Sequence, residues 1–132
     1  MEKTGVILIE KLPELVNNDE ALVRRGRFLT AVIKIVVGDD EYWVGIKEGR
    51  VVAVERGPFL MRSCDIAVRA STEAWEKFWE RYPPPGYQDI FGMSKSGEAE
   101  VSGDWLLFMQ NLQYFKDLLQ SPRRLAAEEY NA

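Results

Sequence analysis

Gly97-Glu98-Ala99-Glu100-Val101-Ser102-Gly103-Asp104 runs directly into Trp105-Leu106-Leu107-Phe108. The first five residues read as a short strand, and Gly103-Asp104 as a turn whose carboxylate caps a following helix. In that helix Trp105, Phe108, Leu112, Phe115 and Leu119 make one apolar stripe at helical spacing. Pro122 ends it. A short strand delivered by a tight turn into a closing helix with one apolar face is the local arrangement from which the rest is read.

Upstream, Tyr87 to Met93 reads as a short helix, set off from the preceding element by Pro83-Pro84-Pro85-Gly86. Before the prolines, Ser71-Thr72-Glu73-Ala74 supplies a capping oxygen and a first-turn acid. Trp75, Phe78, Trp79 and Tyr82 then fall at i, i+3, i+4 and i+7, giving this helix a wide aromatic face. Asp65-Ile66-Ala67-Val68-Arg69 alternates in the period of a half-buried strand.

Further back the texture is β-branched and aromatic. Val32 to Val37 ends at the turn Gly38-Asp39-Asp40, Glu41 to Lys47 forms a second strand, and Glu48-Gly49 turns tightly into Arg50 to Glu55. These three strands make an antiparallel meander. At the start, Val6 to Val16 reads as a short helix that Pro13 disturbs, and Asn18-Asp19-Glu20 as the start of another. The expected fold is α+β: a mainly antiparallel five-stranded sheet with helices covering one face.

The chain of 132 residues fits one domain, with 46% hydrophobic and 29% charged residues, enough apolar material to fold around a core. The expected division is an N-terminal helical segment over 1–27, a core over 28–123 and a tail over 124–132, where any disorder would concentrate. With 17 Lys and Arg against 21 Asp and Glu, and no basic run longer than Arg24-Arg25 or Arg123-Arg124, nucleic acid is a poor partner. Histidine is absent, which excludes His-based triads and histidine metal sites; the one cysteine excludes cysteine zinc sites and an internal disulfide.

No apolar run approaches the ~20 residues of a membrane span, no secretory signal is visible, and Tyr130-Asn131-Ala132 is not a peroxisomal or prenylation signal. A reducing, cytoplasmic setting is expected.

The segment Gly97 to Asp104 resembles the sterol carrier protein 2 family. So do Asp65-Ile66-Ala67-Val68 with Ser71-Thr72-Glu73-Ala74-Trp75, Ile90-Phe91-Gly92-Met93 before the last strand, and Leu106-Leu107-Phe108-Met109-Gln110-Asn111-Leu112 in the closing helix. The likeness follows element order over about 28–119 and is closest over 64–123. It implies a lipid-binding domain with an apolar tunnel that carries sterols, fatty acids or acyl chains without chemistry of its own. On that resemblance the tunnel walls are Trp75, Phe78, Trp79, Phe91, Met93, Trp105, Phe108, Met109, Leu112 and Phe115. Read without it, the same side chains are core that fills the interior, and both readings stay open.

The remaining features are bland. Asp39, Asp40 and Glu41 read as a solvated hairpin turn, lacking the spacing of a calcium loop. Cys64 reads as a half-buried structural thiol, and Arg123 and Arg124 as exposed arginines past a helix end. No catalytic residue, metal or cofactor is expected, and the chain reads as no enzyme. An alternative function is an accessory subunit that docks on a lipid-metabolising enzyme. A homodimer through an edge strand of the meander is also conceivable, with charged residues such as Lys34 and Lys47 opposing it.

Overall fold

The computed structural model describes residues 8–59 and 62–125. After a helical turn over 8–10, α1 (Leu12–Asn17) and α2 (Glu20–Arg25) lead into β1 (Thr30–Val37), β2 (Asp40–Lys47) and β3 (Arg50–Arg56). Then follow β4 (Ile66–Ala70), α3 (Thr72–Phe78), α4 (Ile90–Ser96), β5 (Ala99–Gly103), α5 (Trp105–Gln110) and α6 (Leu112–Gln120). The start of the expected first helix, Val6-Ile7, and the tail beyond 125 lie outside the described residues.

The five strands form one sheet in the order β3-β2-β1-β4-β5. The meander is antiparallel as expected, β5 is antiparallel to β4, and β1 and β4 run parallel with Ile33 opposite Ile66 and Val37 opposite Ala70. Ile33, Ile35, Tyr42, Val44, Ile66 and Val68 are buried on one face, where helices cover them. On the other face Arg62 lies 3.8 Å from the Trp43 ring centre and pairs with Glu55 through two bonds of 2.8 and 2.9 Å. The Trp43 indole N–H donates to the Ser63 carbonyl, so the β3–β4 connection crosses that face.

Several boundaries differ from the sequence expectation for identifiable reasons. Pro13 stands in the first turn of α1 and starts the helix rather than disturbing it, because a first-turn residue needs no amide hydrogen. α3 ends at Phe78, leaving Tyr82 75% exposed and off the aromatic face. The residue before a proline is pushed out of the helical region, so Tyr82 before Pro83 could not extend the turn. α4 starts at Ile90, where the Asp89 carboxylate accepts from the Phe91 N–H, and stops at Gly97 with φ +87°. The Glu98 N–H returns to the Met93 carbonyl in the manner of a left-handed helix stop, which delays β5 to Ala99.

Lys34 and Lys47 do not guard an edge, since β1 and β2 are interior strands and the edges are β3 and β5. Lys34 meets Glu41 at 3.1 Å. The β3 edge is closed at one point by Asn17, whose amide donates to the Val51 carbonyl and accepts from the Val51 N–H at 2.9 and 2.8 Å. That side chain occupies the groups a neighbouring strand would use. Among the described residues no helix is long and apolar enough to cross a membrane.

Candidate functional site

The space between sheet and helices is built by residues whose positions follow from local sequence. Alternation along β1 and β4 turns Ile33, Ile35, Ile66 and Val68 toward the helices, and the Ser71 hydroxyl, accepting from the Ala74 N–H at 3.0 Å, starts α3 directly after β4. α3 then presents Trp75, Phe78 and Trp79, all buried. The Asp104 carboxylate accepts from the Leu107 N–H at 3.0 Å and starts α5, as the sequence indicated.

The large side chains are fixed by polar ties as well as by packing. The Trp75 indole donates to the Val36 carbonyl at 2.8 Å, holding α3 on β1, and the Trp79 indole donates to the Leu119 carbonyl at 2.9 Å, holding α3 to α6. The Tyr114 hydroxyl donates to the Gly49 carbonyl at 2.7 Å, and burial pushes its pKa up strongly. Buried aromatic residues with a polar atom generally need such a partner.

Two chains of rings run through this layer. Trp75 stacks on Trp79 at 4.9 Å and meets Phe78 edge-on at 5.6 Å. The second chain passes from Trp105 to Phe108 at 5.3 Å, to Phe115 at 5.7 Å and to Tyr114 at 5.8 Å. It connects a surface residue to the buried core, because Trp105 is 46% exposed while Phe108, Phe115 and Tyr114 are buried.

Of the residues expected to line a tunnel, Trp75, Phe78, Trp79, Met93, Phe108 and Phe115 meet in one buried apolar cluster. Phe91 and Leu112 are partly buried and pack against it. Trp105 and Met109, the latter 39% exposed, face outward beside Leu106 at 68%. The sheet side of the cluster and Tyr114 were absent from the expected walls. The alternation of Ile33 and Ile35 was signal enough for the first, whereas Tyr114 was hidden by a break in the closing helix. At Asn111, φ −121° and ψ 27° separate α5 from α6. The apolar stripe changes phase there: α6 buries Tyr114, Phe115, Leu118 and Leu119, and Leu112 moves to the margin.

A surface cleft of about 500 Å³ opens beside the ends of α3 and α6, with Asp19, Arg81, Asp117, Arg123 and Arg124 among its lining residues. Arg123 is not the exposed arginine that the sequence suggested. Its Nε and Nη2 donate to the Phe78 carbonyl at 3.0 and 2.6 Å, Nη2 also reaches the Gln88 carbonyl at 3.3 Å, and the guanidinium lies 4.9 Å from the Phe78 ring centre. Burial lowers its pKa, and it acts as a cationic cap on the C-terminus of α3. Arg124 pairs with Asp19 at 3.4 Å, and Arg25 pairs with Asp117. These charges serve to close the fold at this end.

No family model matches the sequence, and no curated protein matches it significantly. Solved structures do match in three dimensions. A conserved hypothetical protein from Thermus thermophilus, described as possibly a sterol carrier protein, superposes with a TM-score of 0.72 at 13% identity, over 91% of this chain and 87% of its own. A sterol carrier protein 2 crystal structure gives 0.72 at 13% identity, over 89% and 94%. A ubiquinone synthesis protein, UbiJ-SCP2, gives 0.52 at 20% identity, over 88% and 91%. With its sheet order, its capped β5–α5 turn and these superpositions, the chain has the fold of sterol carrier protein 2.

Proposed function

We propose that this chain binds an apolar ligand, a sterol, fatty acid or acyl chain, between its sheet and its helices, and carries it without performing chemistry on it. The observation that carries this reading is the ring chain from exposed Trp105 to buried Tyr114, an unbroken apolar seam along which a ligand would enter as the rings part. The fold shared with sterol carrier protein 2 supports it. The proposed walls are Trp75, Phe78, Trp79, Phe91, Met93, Trp105, Phe108, Met109, Leu112 and Phe115, with Ile33, Ile35 and Val44 as floor.

Loading replaces ring–ring contacts by ring–ligand contacts. It therefore calls for α5 to swing about Asn111, where the helical path already breaks. Each buried methylene contributes roughly 0.8 kcal/mol, so a chain of moderate length compensates for the packing it displaces. Cys64, free and half-buried, accords with a reducing cytoplasmic setting.

Mass spectrometry of the purified protein, native and then after solvent extraction, tests the reading. A stoichiometric apolar adduct is expected. A clean apo mass, together with no uptake of a fluorescent fatty-acid probe, sinks it. A second reading then takes its place, in which Trp105, Leu106 and Met109 form a docking surface for an enzyme that handles lipids. That this fold also occurs in a ubiquinone synthesis protein accords with such a role.

A further inference from the structure

Trp75, Trp79 and Tyr114 each satisfy their polar atom inside the core, but Tyr42 does not. Its side chain belongs to the continuous apolar cluster and is 1% exposed, yet its hydroxyl is buried with no hydrogen-bond partner among the described residues. A hydroxyl removed from water and left unpaired is destabilising, and native cores seldom retain one without a use for it.

Tyr42 stands on β2, opposite Ile35 of β1 and Arg56 of β3, on the face that the helices cover. Arg56, Asp40 and Glu10 are the charged groups within electrostatic range. Of the three, Arg56 acts most strongly, and it is itself paired with Asp40 at 3.5 Å. Burial raises the phenol pKa, and at neutral pH the hydroxyl is uncharged, able both to donate and to accept. Among the described residues α1, six residues long with Leu12 and Val16 buried, packs on β3, the strand beside β2.

We propose that the Tyr42 hydroxyl is the polar anchor of the apolar site, pairing with a neutral hydroxyl or carbonyl oxygen on the ligand while the ligand's apolar body lies along the sheet. This inference rests on the carrier reading and deepens it by naming the ligand class. A carboxylate is disfavoured, because its charge would leave water beside a neutral hydroxyl, and Arg56, the cation on the neighbouring strand, is already held by Asp40. An alcohol or ketone oxygen carries no such cost and satisfies the one unpaired group.

The test compares hexadecanol, hexadecanoate and hexadecane as competitors of a fluorescent apolar probe, on the wild-type chain and on Tyr42→Phe. Hexadecanol is expected to bind most tightly to the wild type. In the variant its affinity falls about tenfold while that of hexadecane is unchanged, the loss of one hydrogen bond in a dry site. The thermal midpoint of ligand-free Tyr42→Phe is expected to equal or exceed that of the wild type, since no bond is lost. Unchanged hexadecanol affinity in the variant overturns the anchor while leaving the carrier reading intact. Equal binding of hexadecanoate and hexadecanol by the wild type, or a lower midpoint of the ligand-free variant, overturns it too. If the wild type binds none of the three, the carrier reading falls and the anchor with it.

Discussion

Gly103 and Asp104 act as a pair. Gly103 has φ +104°, and a Cβ there would meet the Asp65 carbonyl and the backbone of Ile66, its partner in the sheet. Only glycine lets β5 pass so close while turning into the left-handed region. Gly103→Ala is therefore expected to destabilise the fold by about 2 kcal/mol, combining strain with the close approach. Asp104→Ala removes a cap without disturbing the backbone and should cost about 1 kcal/mol. Urea titrations check both, and a Gly103→Ala loss no larger than that of Asp104→Ala would refute the strain argument. These two roles could be anticipated from residue types, because capping and positive φ are local properties. The role of Arg123 could not, since the carbonyls it holds belong to residues 45 and 35 positions away.

α5 and α6 illustrate what an element inherits from its neighbours. Read as one helix, the stripe from Trp105 to Leu119 is regular, and nothing in its hydrophobic pattern announces a break. The break at Asn111 turns Trp105, Leu106 and Met109 outward and Tyr114 inward, toward a carbonyl on the β2–β3 turn. α5 is left with Phe108 as its one buried residue and an exposed apolar face. Trp105→Ala is expected to lower stability by about 1 kcal/mol, the order of one stacked ring pair. The same change should weaken uptake of a fluorescent fatty acid several-fold. Unaltered uptake would take α5 out of the site and leave Trp105 as a surface residue alone.

Across the whole molecule the buried tyrosines couple the fold to alkaline pH. The Tyr114 phenol has a folded pKa raised by burial above its ordinary value of 10.0, and that of Tyr42 is raised for the same reason. Both hydroxyls keep their protons in the folded chain while the unfolded chain loses them, so their contribution is complete below about pH 10 and is lost as pH rises beyond it. Stability measured between about pH 9 and 11.5 should fall with rising pH. In Tyr114→Phe the curve starts lower by about 1–2 kcal/mol, because the Gly49 carbonyl loses its donor, and falls less steeply. Equal slopes in the two proteins would contradict the linkage.

The sequence by itself determined the strands, the caps at Ser71 and Asp104, the aromatic character of the helix-covered face and the α+β class. Each depends on periodicity or on contacts within a few residues along the chain. Only the tertiary structure decided that β4 lies parallel beside β1, that the closing helix breaks at Asn111, that Arg123 caps α3, and that the Tyr42 hydroxyl is buried without a partner among the described residues. These depend on which distant groups meet once the sheet is assembled. A hydroxyl's pairing and a cation's burial are properties of that meeting, and a local pattern of residues does not encode them.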